Sequence, residues 1–119
     1  MADETVTETE ISAQRAAELA ESGALLIDVR RPYEWEAGRI AGARHLEMND
    51  LANNAESVPR DRAVVFYCRS GNRSALAAAA FRQAGWDAYN LEGGLQQWVE
   101  YGLELDPPDG EVAPPQPGS

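Results

Sequence analysis

The segment Cys68-Arg69-Ser70-Gly71-Asn72-Arg73-Ser74 holds the single cysteine of the chain, followed at once by two arginines and a set of small or hydrogen-bonding residues. A thiol in that company suits nucleophilic chemistry. The thiolate is the reactive form, and guanidinium groups and main-chain N–H groups both stabilise it. A lone cysteine is more often a small core residue, but a core residue has no use for Arg, Ser, Gly, Asn and Arg in succession behind it. Arg69 and Arg73 also give an anion a local reason to bind beside the sulfur, so the substrate implied is small and anionic. Gly71 is expected to supply a backbone angle that a side chain would forbid, letting the loop curl around the sulfur. Ser70, Asn72 and Ser74 are expected to tie the loop down, with Ser74 also placed to serve a helix start. One cysteine excludes an internal disulfide, a CxxC redox pair and a multi-cysteine zinc site. With one histidine in the chain, no protein-only metal cage is expected, and the chemistry calls for no cofactor.

Such a sulfur has to be held at the end of a rigid element. Ala63-Val64-Val65-Phe66-Tyr67, directly before Cys68, is apolar without alternation, as in a strand covered on both faces. The alanine-rich stretch after the loop, SALAAAAFRQAG, is a strong helix former closed by Gly85. This arrangement puts Cys68 at the carboxyl end of a strand, where open parallel sheets place their binding crevices, and aims a helix N-terminus at it. The remaining elements follow the same alternation. Ser12 caps a first helix that Gly23 ends, Ala24–Ile27 is a buried strand, and Pro32 opens a short helix that Gly38 closes. A brief strand around Arg44-His45-Leu46 precedes a weak helix near 47–55. Ala88–Leu91 is another strand, and a last helix runs from Gly94 through Tyr101. The order predicts an α/β domain with a mostly parallel sheet and helices on both sides.

The chain has 119 residues, 44% of them hydrophobic, enough for one domain. Residues 1–7 are polar and expected to be disordered, 8–103 to form the domain, and 104–119, which hold five of the seven prolines, to be a disordered tail. Twenty acidic residues against ten basic ones leave a formal charge of −10, which disfavours nucleic acid and anionic membranes as partners. All ten basic residues are arginine, which excludes a Schiff-base lysine and a phosphate-loop lysine. No stretch reaches the roughly 20 apolar residues of a membrane span, and MADETVTETE is acidic where a secretory leader is basic, so a soluble cytoplasmic protein is expected.

Three stretches in the right order resemble one known family. CRSGNRS is similar to the active-site loop of the rhodanese-like sulfurtransferases, Asp28–Leu46 (DVRRPYEWEAGRIAGARHL) resembles that family's N-terminal signature, and Gly85–Trp98 (GWDAYNLEGGLQQW) its C-terminal one. The resemblance implies a three-layer α/β/α domain with a five-stranded, mostly parallel sheet. It also implies a catalytic Cys68 that takes a sulfane sulfur from thiosulfate or a similar small anionic donor. The sulfur would pass through a persulfide to a thiol, cyanide or protein acceptor, with Arg69, Ser70, Gly71, Asn72 and Arg73 binding substrate. The alternative is a persulfide carrier serving one protein partner, and a non-catalytic module of the same fold would normally lack the nucleophile. A cysteine phosphatase or arsenate reductase needs the arginine at position 74, where this chain has Ser74. Tyr67 stands where phosphatases commonly carry histidine, and no general acid is evident.

Other polar residues have plainer roles. Asp28 ends a strand at the same crevice and is a possible supporting carboxylate, though pairing with loop amides or an arginine is its commoner task. Arg30 and Glu34 read as a structural ion pair or as solvated charges, and His45 as structural and not a base for Cys68. Trp35, Trp86 and Trp98 read as packing residues, and Gly93-Gly94 as a turn. A reactive Cys68 carries two structural requirements: a sulfur open to solvent, and loop amides converging on it.

Overall fold

The apolar run after Gly23 and the run before Cys68 become inner strands of a single sheet in the computed structural model, which describes residues 9–114. The strands are β1 (Glu10–Ile11), β2 (Leu25–Asp28), β3 (Arg44–His45), β4 (Val64–Tyr67) and β5 (Ala88–Leu91), and every pairing is parallel in the order β1-β5-β4-β2-β3. The helices are α1 (Ala13–Glu21), α2 (Pro32–Ala37), α3 (Asn72–Gln83) and α4 (Gly94–Glu100). Ser12 caps α1 by accepting from Arg15 N at 3.1 Å. The weak helix near 47–55 is instead two 3₁₀ segments, Met48–Asp50 and Ala52–Ser57. The two-residue β1 lies in a segment with no apolar run and owes its strand geometry to the edge of β5.

Successive β4 side chains point to opposite faces, so this one strand feeds two cores. Val64, Phe66 and Cys68 pack with Ile27, Val29, Ala77, Ala78 and Phe81, whereas Val65 and Tyr67 pack with Leu26, Ala16, Leu95 and Trp98. All four β4 residues are fully buried, which explains the absence of polar alternation in their sequence. Each such Val or Phe contributes roughly 1.5–3 kcal/mol on burial. Trp86 and Trp98 are buried, while Trp35 is only half-buried and stacks on His45 with centroids 4.9 Å apart.

The tail departs from expectation. Residues 104–114 pack against the domain: Leu105 and Ala113 are buried, and Arg39 and Asp106 exchange backbone hydrogen bonds of 3.1 and 2.7 Å. Glu111 N donates to Ala37 O at 2.9 Å, and Tyr33 Oη donates to Pro114 O at 3.0 Å. The prolines restrict the path of this strap while its non-proline residues supply the backbone bonds, so lack of helical or strand periodicity did not mean lack of order. The expected disorder of residues 1–7 and of 115–119 lies outside the described residues. Among the described residues no helix is long and apolar enough to cross a membrane.

Candidate active site

β4 delivers Cys68 to the carboxyl edge of the sheet, and the chain turns into α3 through Gly71, whose φ is +100°. That left-handed angle is open to glycine and turns the following amides back toward the sulfur. Gly71 N donates to Cys68 Sγ at 3.1 Å, Ser74 N reaches it at 3.5 Å, and Ser74 Oγ lies 3.4 Å away. Burial pushes the Cys68 thiol pKa up, but hydrogen bonds from Ser74 Oγ, Ser74 N, Gly71 N and Ser70 N outweigh it and hold the pKa below the ordinary value. Of the two requirements placed on a reactive Cys68, convergence of the amides is met. Openness is not: Cys68 is 1% exposed.

An open cavity of ≈ 440 Å³ lies over the loop, lined by Arg69, Ser70, Asn72 and Arg73 together with residues such as Val29 and Met48 that follow β2 and β3. It sits beyond the carboxyl ends of the strands, as the topology requires. Cys68 is buried and does not form part of this lining.

The two arginines of the loop are in different states. Arg73 makes a two-pronged ion pair with Glu34, Nη1 to Oε1 at 3.1 Å and Nη2 to Oε2 at 3.2 Å, with 40% of its side chain exposed. Burial alone would lower its pKa, but Glu34, and behind it Cys68, raise it above its ordinary value, so it stays charged. Arg69 Nε is buried with no hydrogen-bond partner among the described residues, leaving an unspent donor at the cavity.

The reading of Arg30 and Glu34 as partners is corrected. Arg30 is wholly buried and pairs with Asp28 (Nη2 to Oδ2, 2.6 Å), and it also donates to Gly38 O. Glu34 serves Arg73 and accepts from Arg31 N at 3.1 Å. Helical spacing had suggested a local pair, but Asp28 holds its partner from the end of β2, and Arg73 arrives from across the sheet. Asp28 is thus committed to Arg30, and His45 Nε2 lies 2.7 Å from Arg30 O. Neither is engaged with the sulfur.

Three contributors went unrecognised in the sequence. Glu34 neutralises Arg73. Asn90, on β5, is hydrogen-bonded to Ser74 Oγ. The Gly93-Gly94 turn brings the first amides of α4 under the loop, where Leu95 N donates to Cys68 O at 2.9 Å and Gln96 N to Arg69 O at 3.1 Å. The paired glycines were the visible signal for the last of these. Nothing in the local pattern marked the other two.

Residues 12–101 match the family described as the rhodanese-like domain. The chain is 38% identical over 104 residues to a sulfurtransferase of Allochromatium vinosum, covering 87% of this chain and 95% of that protein. It is 37% identical over 89 residues to the thiosulfate sulfurtransferase GlpE of Pseudomonas aeruginosa, covering 74% of this chain and 81% of that one. The crystal structure of a rhodanese-related protein from Thermoplasma volcanium superposes with a TM-score of 0.76 at 31% identity, over 81% of this chain and 95% of that one. Fold, loop and sequence agree, and the chain belongs to the rhodanese-like domain family.

Proposed function

We propose that this protein is a sulfurtransferase that moves a sulfane sulfur from thiosulfate, or a similar small anionic donor, to a thiol or cyanide acceptor through a Cys68 persulfide. The observation that carries this reading is the convergence of Gly71 N, Ser74 N and Ser74 Oγ on one sulfur whose pKa is held down despite burial. The curated relatives named as sulfurtransferases support the same reaction class.

In the first half-reaction the Cys68 thiolate attacks the outer sulfur of thiosulfate. A Cys68–sulfur bond forms, the sulfur–sulfur bond of the donor breaks, and sulfite leaves with the electron pair. The persulfide anion then lies over the loop amides, which are already oriented and need no reorganisation to receive it. In the second, a thiolate or cyanide attacks the outer sulfur and Cys68 departs as thiolate, restoring the enzyme. No second cysteine exists to discharge the persulfide internally, so release requires an outside nucleophile. Arg69 is assigned to the sulfonate end of the donor: a desolvated, unpartnered donor atom recovers about 1–3 kcal/mol when it is satisfied. Arg73, with both outer nitrogens on Glu34, contributes charge and holds the loop to α2 more than it grips the donor. Ser70 and Asn72 line the cavity beside the loop. Because Cys68 is 1% exposed, the donor must displace part of that lining, which places a local opening ahead of the chemistry.

Intact mass spectrometry tests the reading. Incubation with thiosulfate is expected to add one sulfur atom to the protein, and cyanide to remove it. A protein that gains no mass under these conditions would refute it.

The depressed thiol pKa predicts a pH dependence. Thiolate forms as pH rises through the folded-state pKa, which lies below that of the unfolded chain, so the rate of sulfur uptake falls as pH drops through the folded value and is level above it. Titration by thiolate ultraviolet absorbance, native against urea-unfolded, checks this. The native transition is expected at the lower pH, and coincident transitions would show that the cradle does not favour the anion.

A further inference from the structure

Asn90 is 1% exposed, and the directions of all its hydrogen bonds can be assigned. Its Nδ2 lies 2.8 Å from Glu10 Oε1 and 3.1 Å from Gly71 O, and both of these atoms can only accept. The amide group is therefore held with Nδ2 toward them, and Oδ1 must face Ser74 as an acceptor. The Ser74 hydroxyl has one proton and two candidates for it: Asn90 Oδ1, at short range, and Cys68 Sγ, at 3.4 Å. When the proton goes to Asn90, an oxygen lone pair faces the sulfur. That arrangement suits a protonated thiol, which can donate, and is tolerable for the divalent inner sulfur of a persulfide. It does not suit a bare thiolate, which needs the proton itself and gains it only by leaving Oδ1 unsatisfied in a buried place.

We propose that Asn90 is a positioning residue that competes with Cys68 for the Ser74 hydroxyl proton, and so biases the site away from the bare thiolate and toward the forms in which Sγ itself is uncharged, the thiol and the persulfide. Its part in sulfur transfer rests on the Cys68 persulfide reading, while the proton competition itself does not. Glu10, on the edge strand β1, acts at one remove by helping to fix the amide. The competition spans two strands and a helix, from β1 through β5 to the start of α3, and meets at one hydroxyl group. The amide cradle and Asn90 therefore pull in opposite directions on the same sulfur. The cradle lowers the thiol pKa, and Asn90 keeps that stabilisation from growing so large that the anion would lose nucleophilicity.

A double-mutant cycle on the thiol titration tests this without using sulfur transfer. The thiolate ultraviolet absorbance is followed against pH in the wild-type chain, Asn90→Leu, Ser74→Ala and the double variant. Asn90→Leu is near in volume and removes the acceptor. With Ser74 present it is expected to lower the thiol pKa by about half a unit to one unit, roughly a three- to ten-fold gain in thiolate below the transition. In the Ser74→Ala background it is expected to leave the pKa unchanged, because there is no hydroxyl proton to redirect. An equal shift in both backgrounds would mean that Asn90 acts only by bracing Gly71, and a rise or no shift with Ser74 present would equally overturn the proposal. If Asn90→Leu does not fold, Asn90→Ala is read in the same cycle, with the same outcomes deciding. Failure to form a sulfur adduct would refute the sulfurtransferase reading and leave this titration valid, so the two failures are separable.

Discussion

Cys68→Ser is expected to reduce sulfur transfer to the uncatalysed background and to abolish the added mass after thiosulfate, while leaving the fold intact. The loop contributes amides, a hydroxyl and positive charge, but none of these can accept a sulfur atom, and a serine hydroxyl is not ionised in the pH range where the cradle brings the thiol to its anion. Loss of a covalent nucleophile costs on the order of a thousand-fold or more in turnover, with binding groups left to supply the residue. The serine oxygen still accepts from Gly71 N, so the thermal midpoint is expected to stay near that of the wild type. Steady-state assay with thiosulfate and cyanide, paired with intact mass, reads the result. Retained transfer, or an adduct in the variant, would remove Cys68 from the mechanism.

Gly94→Ala is expected to have the second large effect, although residue 94 is not part of the loop. Gly94 has a φ of +60°, and a Cβ placed there would lie 2.5 Å from Cys68 O and 2.6 Å from Arg69 O. Both neighbours are backbone atoms of the Cys68 loop, so no side chain can swing aside to make room. The methyl group has to push the loop away from the start of α4, breaking the bonds from Leu95 N and Gln96 N that hold those same carbonyls. The left-handed angle adds about 1–2 kcal/mol of its own. A displacement near 1 Å at a reacting group costs about a hundred-fold in rate. The rate of sulfur uptake is therefore expected to fall by about that factor, together with a lower thermal midpoint. Uptake at the wild-type rate would show that the contact between α4 and the loop does not position the sulfur.

The two opposing results on Cys68, amides aimed at it and almost no exposure, share one cause. The same curl of the loop that turns Gly71 N and Ser74 N inward leaves the sulfur buried, while Ser70, Asn72 and Arg73 line the cavity. A thiolate held by main-chain dipoles is protected from bulk water by the groups that stabilise it, and reactivity then depends on a local movement of side chains at the cavity.

The alternation of apolar runs and helical stretches was enough to assign the α/β class, because each element's pattern is written in consecutive residues: Val64–Tyr67 for a strand covered on both faces, Ser12 and Gly23 for the ends of α1. The candidate site was legible for the same reason, since Cys68 and its loop are contiguous at a strand end. What depended on folding in three dimensions were pairings between residues distant in the chain. Glu34 meets Arg73 39 positions away and Asn90 meets Ser74 16 positions away, so neither bond leaves a periodic trace. The strap of residues 104–114 is ordered by backbone bonds to Arg39 and Ala37, which composition does not encode. Local propensity is a property of neighbours in sequence, whereas the placement of a buried charge or a single hydroxyl proton depends on which strands the sheet sets side by side.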